Sequence, residues 1–294
     1  MAHSYDRWKP IRPLSWPCKL YLKHKEEHKQ MYWSFRCSSK YTFKILGKTG
    51  ARRTDLAQNH FEVKDNEVTI QDWQDSYHKF SNWTNLNQVL AQAACLETYI
   101  ASILRLAFDS DPGIIAEASH HIDGVRQLKF GNSIDKQIIE FYITNCTKGT
   151  WQSRINSINN LFGYTFNSFA DNCGDLENLR EIRNNVGHAF GRPISQSHNY
   201  GSPIVKPMIK VSEKKVIKYF KIITDCVVEL DKYVMQNHIG NFQEFHYLHN
   251  CIIDADPLAP PITGNILLSR LNQHARETYS LQFSNWLLNY YNSL

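Results

Sequence analysis

Apolar positions along this chain change period. From about residue 82, Leu86, Val89, Leu90, Ala93, Ala94, Ile100, Ile103 and Leu104 recur at three- and four-residue spacing, which predicts one long amphipathic helix. Thr84 or Asn85 is placed to cap its start, and Asp111-Pro112-Gly113 to stop it. Further helices are expected from Ser133 to about Asn145, from Thr150 to about Phe162 and from Asp175 to about Phe190, with Gly191 and Pro193 ending the last. Ser212 then caps the most regular stripe of all, Val216, Phe220, Ile223, Cys226, Val227, Leu230 and Val234. Residues 240–294 hold two or three more helical patterns, broken at Asp256-Pro257 and Pro260-Pro261.

The first seventy residues read differently. Trp33–Cys37, Tyr41–Leu46 and Phe61–Lys64 alternate aromatic or branched residues with polar ones, and Gly47 and Gly50 sit where turns would be needed. The expected fold is therefore mainly α: a helical bundle of five to seven helices behind a small, β-containing N-terminal segment. The corresponding division is residues 1–75 for that segment, 76–240 for the bundle and 241–294 for a C-terminal helical extension. No repeat at a fixed period and no low-complexity tract interrupts it.

Composition adds that 294 residues with 42% hydrophobic and 21% charged side chains suit a globular fold, not disorder or a coiled coil. The start has no apolar run of the signal-peptide kind, and no stretch approaches the roughly 18 uncharged apolar residues that span a bilayer, so a cytoplasmic chain without a membrane partner is expected. Seven cysteines, widely spaced and without a C-x-x-C pair, predict reduced thiols. Net charge is +5, and residues 1–70 hold 14 Lys+Arg against 7 Asp+Glu. Lys23-His24-Lys25, Lys40–Lys44 and Arg52-Arg53 mix cations with aromatics, which fits a nucleic-acid backbone and its bases as well as it fits a solvated face.

One segment carries chemistry: Arg183-Asn184-x-x-x-His188, at the end of an apolar-periodic helix. It resembles the motif of the HEPN family, helical-bundle proteins marked by an arginine, usually followed by a polar residue, and a histidine after four to six intervening positions. Spacing alone is weak, since 13 arginines and 13 histidines give roughly 1.7 chance matches, and Arg53/His60 and Arg192/His198 also satisfy it. Helical context selects Arg183/His188, because Arg192 precedes Pro193 in a loop and Arg53 follows a glycine-rich turn. The resemblance in helical layout covers roughly residues 82–238.

The residue types suit RNA cleavage without metal. A histidine titrating near neutrality can move protons to and from the 2′-hydroxyl and the leaving 5′-oxygen, while an always-charged guanidinium suits the phosphate. Positions five apart on a helix differ by about 140° in azimuth, so one copy hardly closes around a phosphate; two copies about a twofold axis would supply an acid, a base and doubled positive charge. The resemblance implies the same: a homodimeric, metal-independent endoribonuclease that leaves 2′,3′-cyclic phosphate ends, with toxin or antiviral relatives. Arg183 would clamp the phosphate, His188 act as general acid and base, and Asn184 orient the His or a phosphate oxygen. Toxin-type relatives governed by nucleotidyltransferases tend to have a tyrosine two positions after the histidine; here Phe190 stands there, which argues against that control, although an inhibitor or regulatory partner is still expected.

Two other readings stay open: a non-catalytic HEPN-fold subunit that binds RNA or a protein, and a basic segment that is itself the functional site. Glu97 reads as an exposed helix carboxylate. The histidine pairs His24/His28, His120/His121 and His246/His249 have no convergent cysteine or carboxylate at a recognised spacing, so neither a metal site nor a cofactor is expected.

Overall fold

A computed structural model describes residues 5–61, 67–132, 134–194, 204–256 and 260–294. About 74% of the chain is helical, and no strand occurs among the described residues. The helices are α1 (Trp16–Lys48), α2 (Ile70–Ser110), α3 (Gly124–Phe130), α4 (Lys136–Thr147), α5 (Trp151–Phe162), α6 (Asn167–Asp171), α7 (Cys173–Ala189), α8 (Glu213–Val234), α9 (Phe242–Ile253), α10 (Gly264–Ala275) and α11 (Leu281–Ser293). The all-α part of the expected fold is what the chain adopts.

The β-containing N-terminal segment is not. Trp33–Cys37 and Tyr41–Leu46 lie inside the 33-residue α1, and residues 62–64 of the third expected strand fall outside the described residues. An isolated bridge between Leu56 and Thr69 is the β pairing present among the described residues. The physical reason is a buried stripe at seven-residue spacing: Cys18, Tyr32, Ser39 and Leu46 are buried, while Trp33 and Tyr41 face solvent. Polar residues on the inner face and aromatics on the outer one mimic strand alternation over short windows.

The 41-residue α2 begins twelve positions before the expected start. Its cap is a reciprocal Thr69/Asp72 pair: the Thr69 hydroxyl bonds the Asp72 carboxylate at 2.6 Å and accepts the Asp72 N–H at 3.2 Å. Those bonds from Thr69 hold the Asp72 pKa below its usual value. Thr84 and Asn85, offered as caps, lie mid-helix; Thr84 bonds the Phe80 carbonyl and Asn85 is buried. One stretch of α2 is long and apolar enough to cross a membrane, by length and composition, and 44% of it is buried inside the fold.

Contacts divide the chain into two units. The first takes residues up to Tyr21, Glu97–Cys173 and Thr224–Leu294; the second takes Leu22–Leu96 and Gly174–Ile223. In the second, Asn85 accepts the Tyr32 hydroxyl at 2.7 Å and donates to the Val211 carbonyl at 2.7 Å, while Asn82 bonds Val211 N–H at 2.9 Å and Ile209 O at 2.8 Å. Two asparagines on α2 thus satisfy the backbone of the extended segment leading into α8. Ser212 caps α8 as expected, accepting Lys215 N–H at 3.2 Å.

In the first unit, Thr150 caps α5 as expected, accepting Ser153 N–H at 3.3 Å. α3 was not anticipated, and the expected Ser133 start gives way to Asp135 as the cap of α4; Ser133 itself lies outside the described residues. Arg7 is buried, pairing with Asp123 at 2.8 Å and donating to Ser110 Oγ at 2.8 Å and Ser110 O at 2.7 Å. Gly240 makes this packing possible. Its φ is +58°, and a Cβ there would lie 2.1 Å from Arg7 O.

Glu244 on α9 is buried as well. Its Oε1 accepts the Tyr279 hydroxyl at 3.0 Å and a Gln243 N–H at 3.3 Å, while Oε2 has no partner among the described residues. Burial pushes its pKa up, against the opposing bonds from Gln243 and Tyr279. A folded-state pKa raised above the unfolded one means that stability is lost as pH rises from about 4.5 through the folded value. Glu244→Gln keeps the shape and removes the buried charge. It is expected to stabilise the fold at neutral pH by on the order of 1 kcal/mol, seen as a higher melting temperature, and to flatten the pH dependence of melts above about pH 4.5.

Candidate functional site

α7 forms because Leu176, Leu179, Ile182 and Val186 recur at three- and four-residue spacing, and all four are buried. It stops where Phe190 (φ +52°) and Gly191 (φ +72°) turn left-handed. The Gly191 N–H then donates to Asn185 O at 2.9 Å, and the Ile194 N–H to Asn185 Oδ1 at 3.1 Å. Phe190 stacks on Trp83, ring centroids 4.3 Å apart, and the Arg192 guanidinium lies 5.2 Å above the Phe190 ring. The C-terminal turn of α7 is therefore held by its own backbone and by the α2 aromatic beside it.

On this helix Arg183 and Asn184 are half-buried and His188 is exposed. Arg183 Nη1 donates to Asn184 Oδ1 at 3.0 Å, so in the single chain Asn184 orients the arginine rather than the histidine. The two motif residues leave the helix on different sides, as their five-residue separation requires.

The charge around them is concentrated. The unit containing Arg183 and His188 has 20 Lys+Arg against 12 Asp+Glu, a surplus of +8, whereas the other has 13 against 16, or −3. Part of the surplus comes from α8, where Lys218 pairs with Asp175 at 2.7 Å and Lys215 bonds Asn178 Oδ1 at 3.2 Å. Of the other Arg/His matches, His60 pairs with Asp55 at 3.3 Å, and His198 lies outside the described residues. Glu97, read as an exposed carboxylate, is instead partly buried and paired with Arg154 at 3.1 Å.

A second constellation lies in the first unit, at residues that sequence spacing did not connect. Asp111, directly after α2, is fully buried. Its Oδ1 accepts the His120 N–H at 2.8 Å; its Oδ2 lies 3.0 Å from His238 Nδ1 and 3.7 Å from His120 Nε2. His120 Nε2 is also 2.5 Å from Asn237 O. One donor atom from each of Asp111, His120 and His238 lies within 4.8 Å of the others. His120 and its neighbour His121 also line a cavity of about 560 Å³ with Asp123, Arg126 and Gln127.

No disulfide joins the seven cysteines. Cys18, Cys146 and Cys226 are buried, and burial is the largest cause raising each of their pKa values, which is the state of inert core thiols.

No protein-family model, no curated protein and no solved structure matches the chain.

Proposed function

We propose that the chain is a metal-independent endoribonuclease of the HEPN type, acting as a homodimer through Arg183 and His188 of two copies. One observation carries the reading: α7 buries its apolar stripe and leaves Arg183, Asn184 and His188 at or near the surface of the unit with the +8 surplus. A solvated helix end needs no such grouping, whereas a polyanion requires both the local guanidinium and the surrounding field.

In this reading the Asn184 carbonyl oxygen holds the Arg183 fork, whose positive charge acts on the phosphate. His188 of one copy removes the 2′-hydroxyl proton as that oxygen attacks phosphorus. His188 of the other copy protonates the departing 5′-oxygen, leaving a 2′,3′-cyclic phosphate. The exposure of His188 suits a base that must meet substrate directly.

The test is cleavage of labelled transfer RNA and mixed single-stranded RNA in excess EDTA, comparing wild type with His188→Ala and Arg183→Ala. Fragments ending in cyclic phosphate are expected from the wild type. Each substitution is expected to reduce the rate at least a hundredfold, the scale of a lost general acid–base or electrostatic contribution, with the circular dichroism unchanged. Cleavage abolished by EDTA, or retained in both variants, would remove this mechanism. RNA binding without cleavage by the wild type would instead favour a non-catalytic binding subunit.

A further inference from the structure

We propose that Asp111, His120 and His238 form a binding site for one divalent transition-metal ion, of the zinc class, that ties together the end of α2, the loop before α3 and the turn after α8. This inference does not depend on the ribonuclease reading, since its residues belong to the other unit.

The donor set selects the class of ion. Two imidazole nitrogens and one carboxylate oxygen suit zinc and its first-row neighbours, whereas calcium and magnesium require oxygen shells. Three protein ligands with a fourth position left to water is a recurrent zinc arrangement. In a tetrahedral site with bonds near 2.0–2.1 Å, neighbouring donor atoms stand about 3.3 Å apart. The Asp111 Oδ2 to His238 Nδ1 and His120 Nε2 separations, 3.0 and 3.7 Å, bracket that value. All three donor atoms lie within 4.8 Å of one another, and His120 Nε2 would exchange Asn237 O for the ion.

The surroundings hold each donor in place. The Asp111 carboxylate is fixed through its other oxygen by the His120 N–H, the sort of outer bond that orients metal ligands. His238 is packed beside Phe162 and Tyr233, with ring centroids 5.1 and 5.9 Å away. The His120 ring stacks on Trp8 at 4.1 Å, and the Arg7 guanidinium lies 3.3 Å from the Trp8 ring on which that stack rests. His120 also has φ +65°, a left-handed conformation that a residue with a Cβ keeps only when its surroundings enforce it.

The cluster is more than a buried Asp–His pair: a third donor, His120 Nε2, comes within 3.7 Å of the buried Asp111 oxygen from a ring that is 46% exposed, and an ion there would displace its 2.5 Å contact with Asn237 O. That exposed edge gives an ion a path in.

The experiment uses the full chain, stripped with chelator and dialysed. Zinc titration by calorimetry, with melts at each zinc level, is run on wild type, His120→Ala and His121→Ala; His120 is chosen because its exposed ring can be removed without opening the core. Wild type and His121→Ala are expected to bind one zinc and to melt higher with it. His120→Ala is expected to bind at least tenfold more weakly and to lose most of the shift, with unchanged far-ultraviolet circular dichroism. Cobalt in place of zinc is expected to give the visible absorption of a tetrahedral nitrogen–oxygen site, and magnesium to give no shift. The proposal is overturned if wild type shows no zinc-dependent shift, or if His120→Ala binds zinc as wild type does, which would place zinc on another histidine. RNA cleavage by the same stripped samples separates the two readings, because losing the zinc response leaves the α7 chemistry untouched.

Discussion

Co-expressing equal amounts of wild-type and His188→Ala chains is expected to yield about a quarter of the cleavage rate given by the same total of wild-type chain. If each phosphate requires a histidine from both copies, a mixed dimer has one proton-transfer group where two are needed and is silent; random pairing then leaves about one dimer in four intact. Sites complete within each copy would leave about half. The measurement is an initial rate at fixed total protein, with the mixed dimer isolated through a tag on one chain. A purified mixed dimer that cuts at half the wild-type rate would show that the twofold composite site is wrong even if cleavage itself depends on His188. The expectation follows from a feature of α7, whose Arg183 and His188 diverge around the helix while Asn184 holds the arginine.

How much of this was legible in the sequence differs between elements. α5, α7 and α8 were readable because their apolar residues keep a helical period, their caps are Thr150 and Ser212, and Gly191 and Pro193 close α7. α1 was not, because its inward face includes Ser39 while Trp33 and Tyr41 point outward, so hydrophobicity and burial run out of phase. The first twelve residues of α2 were hidden for a similar reason. Trp73 and Tyr77 there pack against Phe43 of α1 at 5.5 and 5.4 Å instead of joining the aliphatic stripe that begins at Leu86, so no single apolar period covers the whole helix.

The two functional constellations show the same contrast. Arg183, Asn184 and His188 lie within one helix end, where linear spacing is meaningful. Asp111, His120 and His238 are brought together by the packing of three separate segments, and the adjacent His120 and His121 give no hint of which ring turns inward. A long-range site can be recognised from the sequence only when its ligands fall at recurring short intervals, and here they do not. The positive φ of His120 is likewise not readable from the chain, since histidine enters that region more often than most residues but still uncommonly.

The largest stability effect is expected from Asp231→Ala. Asp231 on α8 is fully buried and accepts Ser15 N–H at 3.1 Å, the Ser15 hydroxyl and the Tyr99 hydroxyl at 3.2 Å. Ser15 in turn caps α1, its Oγ accepting Cys18 N–H at 3.1 Å. One carboxylate therefore fixes the start of α1 and satisfies a buried tyrosine of α2. Removing it leaves several buried donors without acceptors and opens a void, for an expected loss of about 3–5 kcal/mol in urea or thermal unfolding. Asp231→Asn, which keeps the volume and one acceptor, is expected to lose less. Burial raises the Asp231 pKa above its usual value in spite of the Ser15 and Tyr99 bonds. The folded chain therefore binds the proton more tightly than the unfolded one, and the carboxyl's stabilisation falls as pH rises from about 4 through the folded value. The gap between wild type and Asp231→Ala is accordingly expected to narrow with rising pH; a gap that widens, or a loss below about 1 kcal/mol, would show that the cap and the tyrosine find other partners.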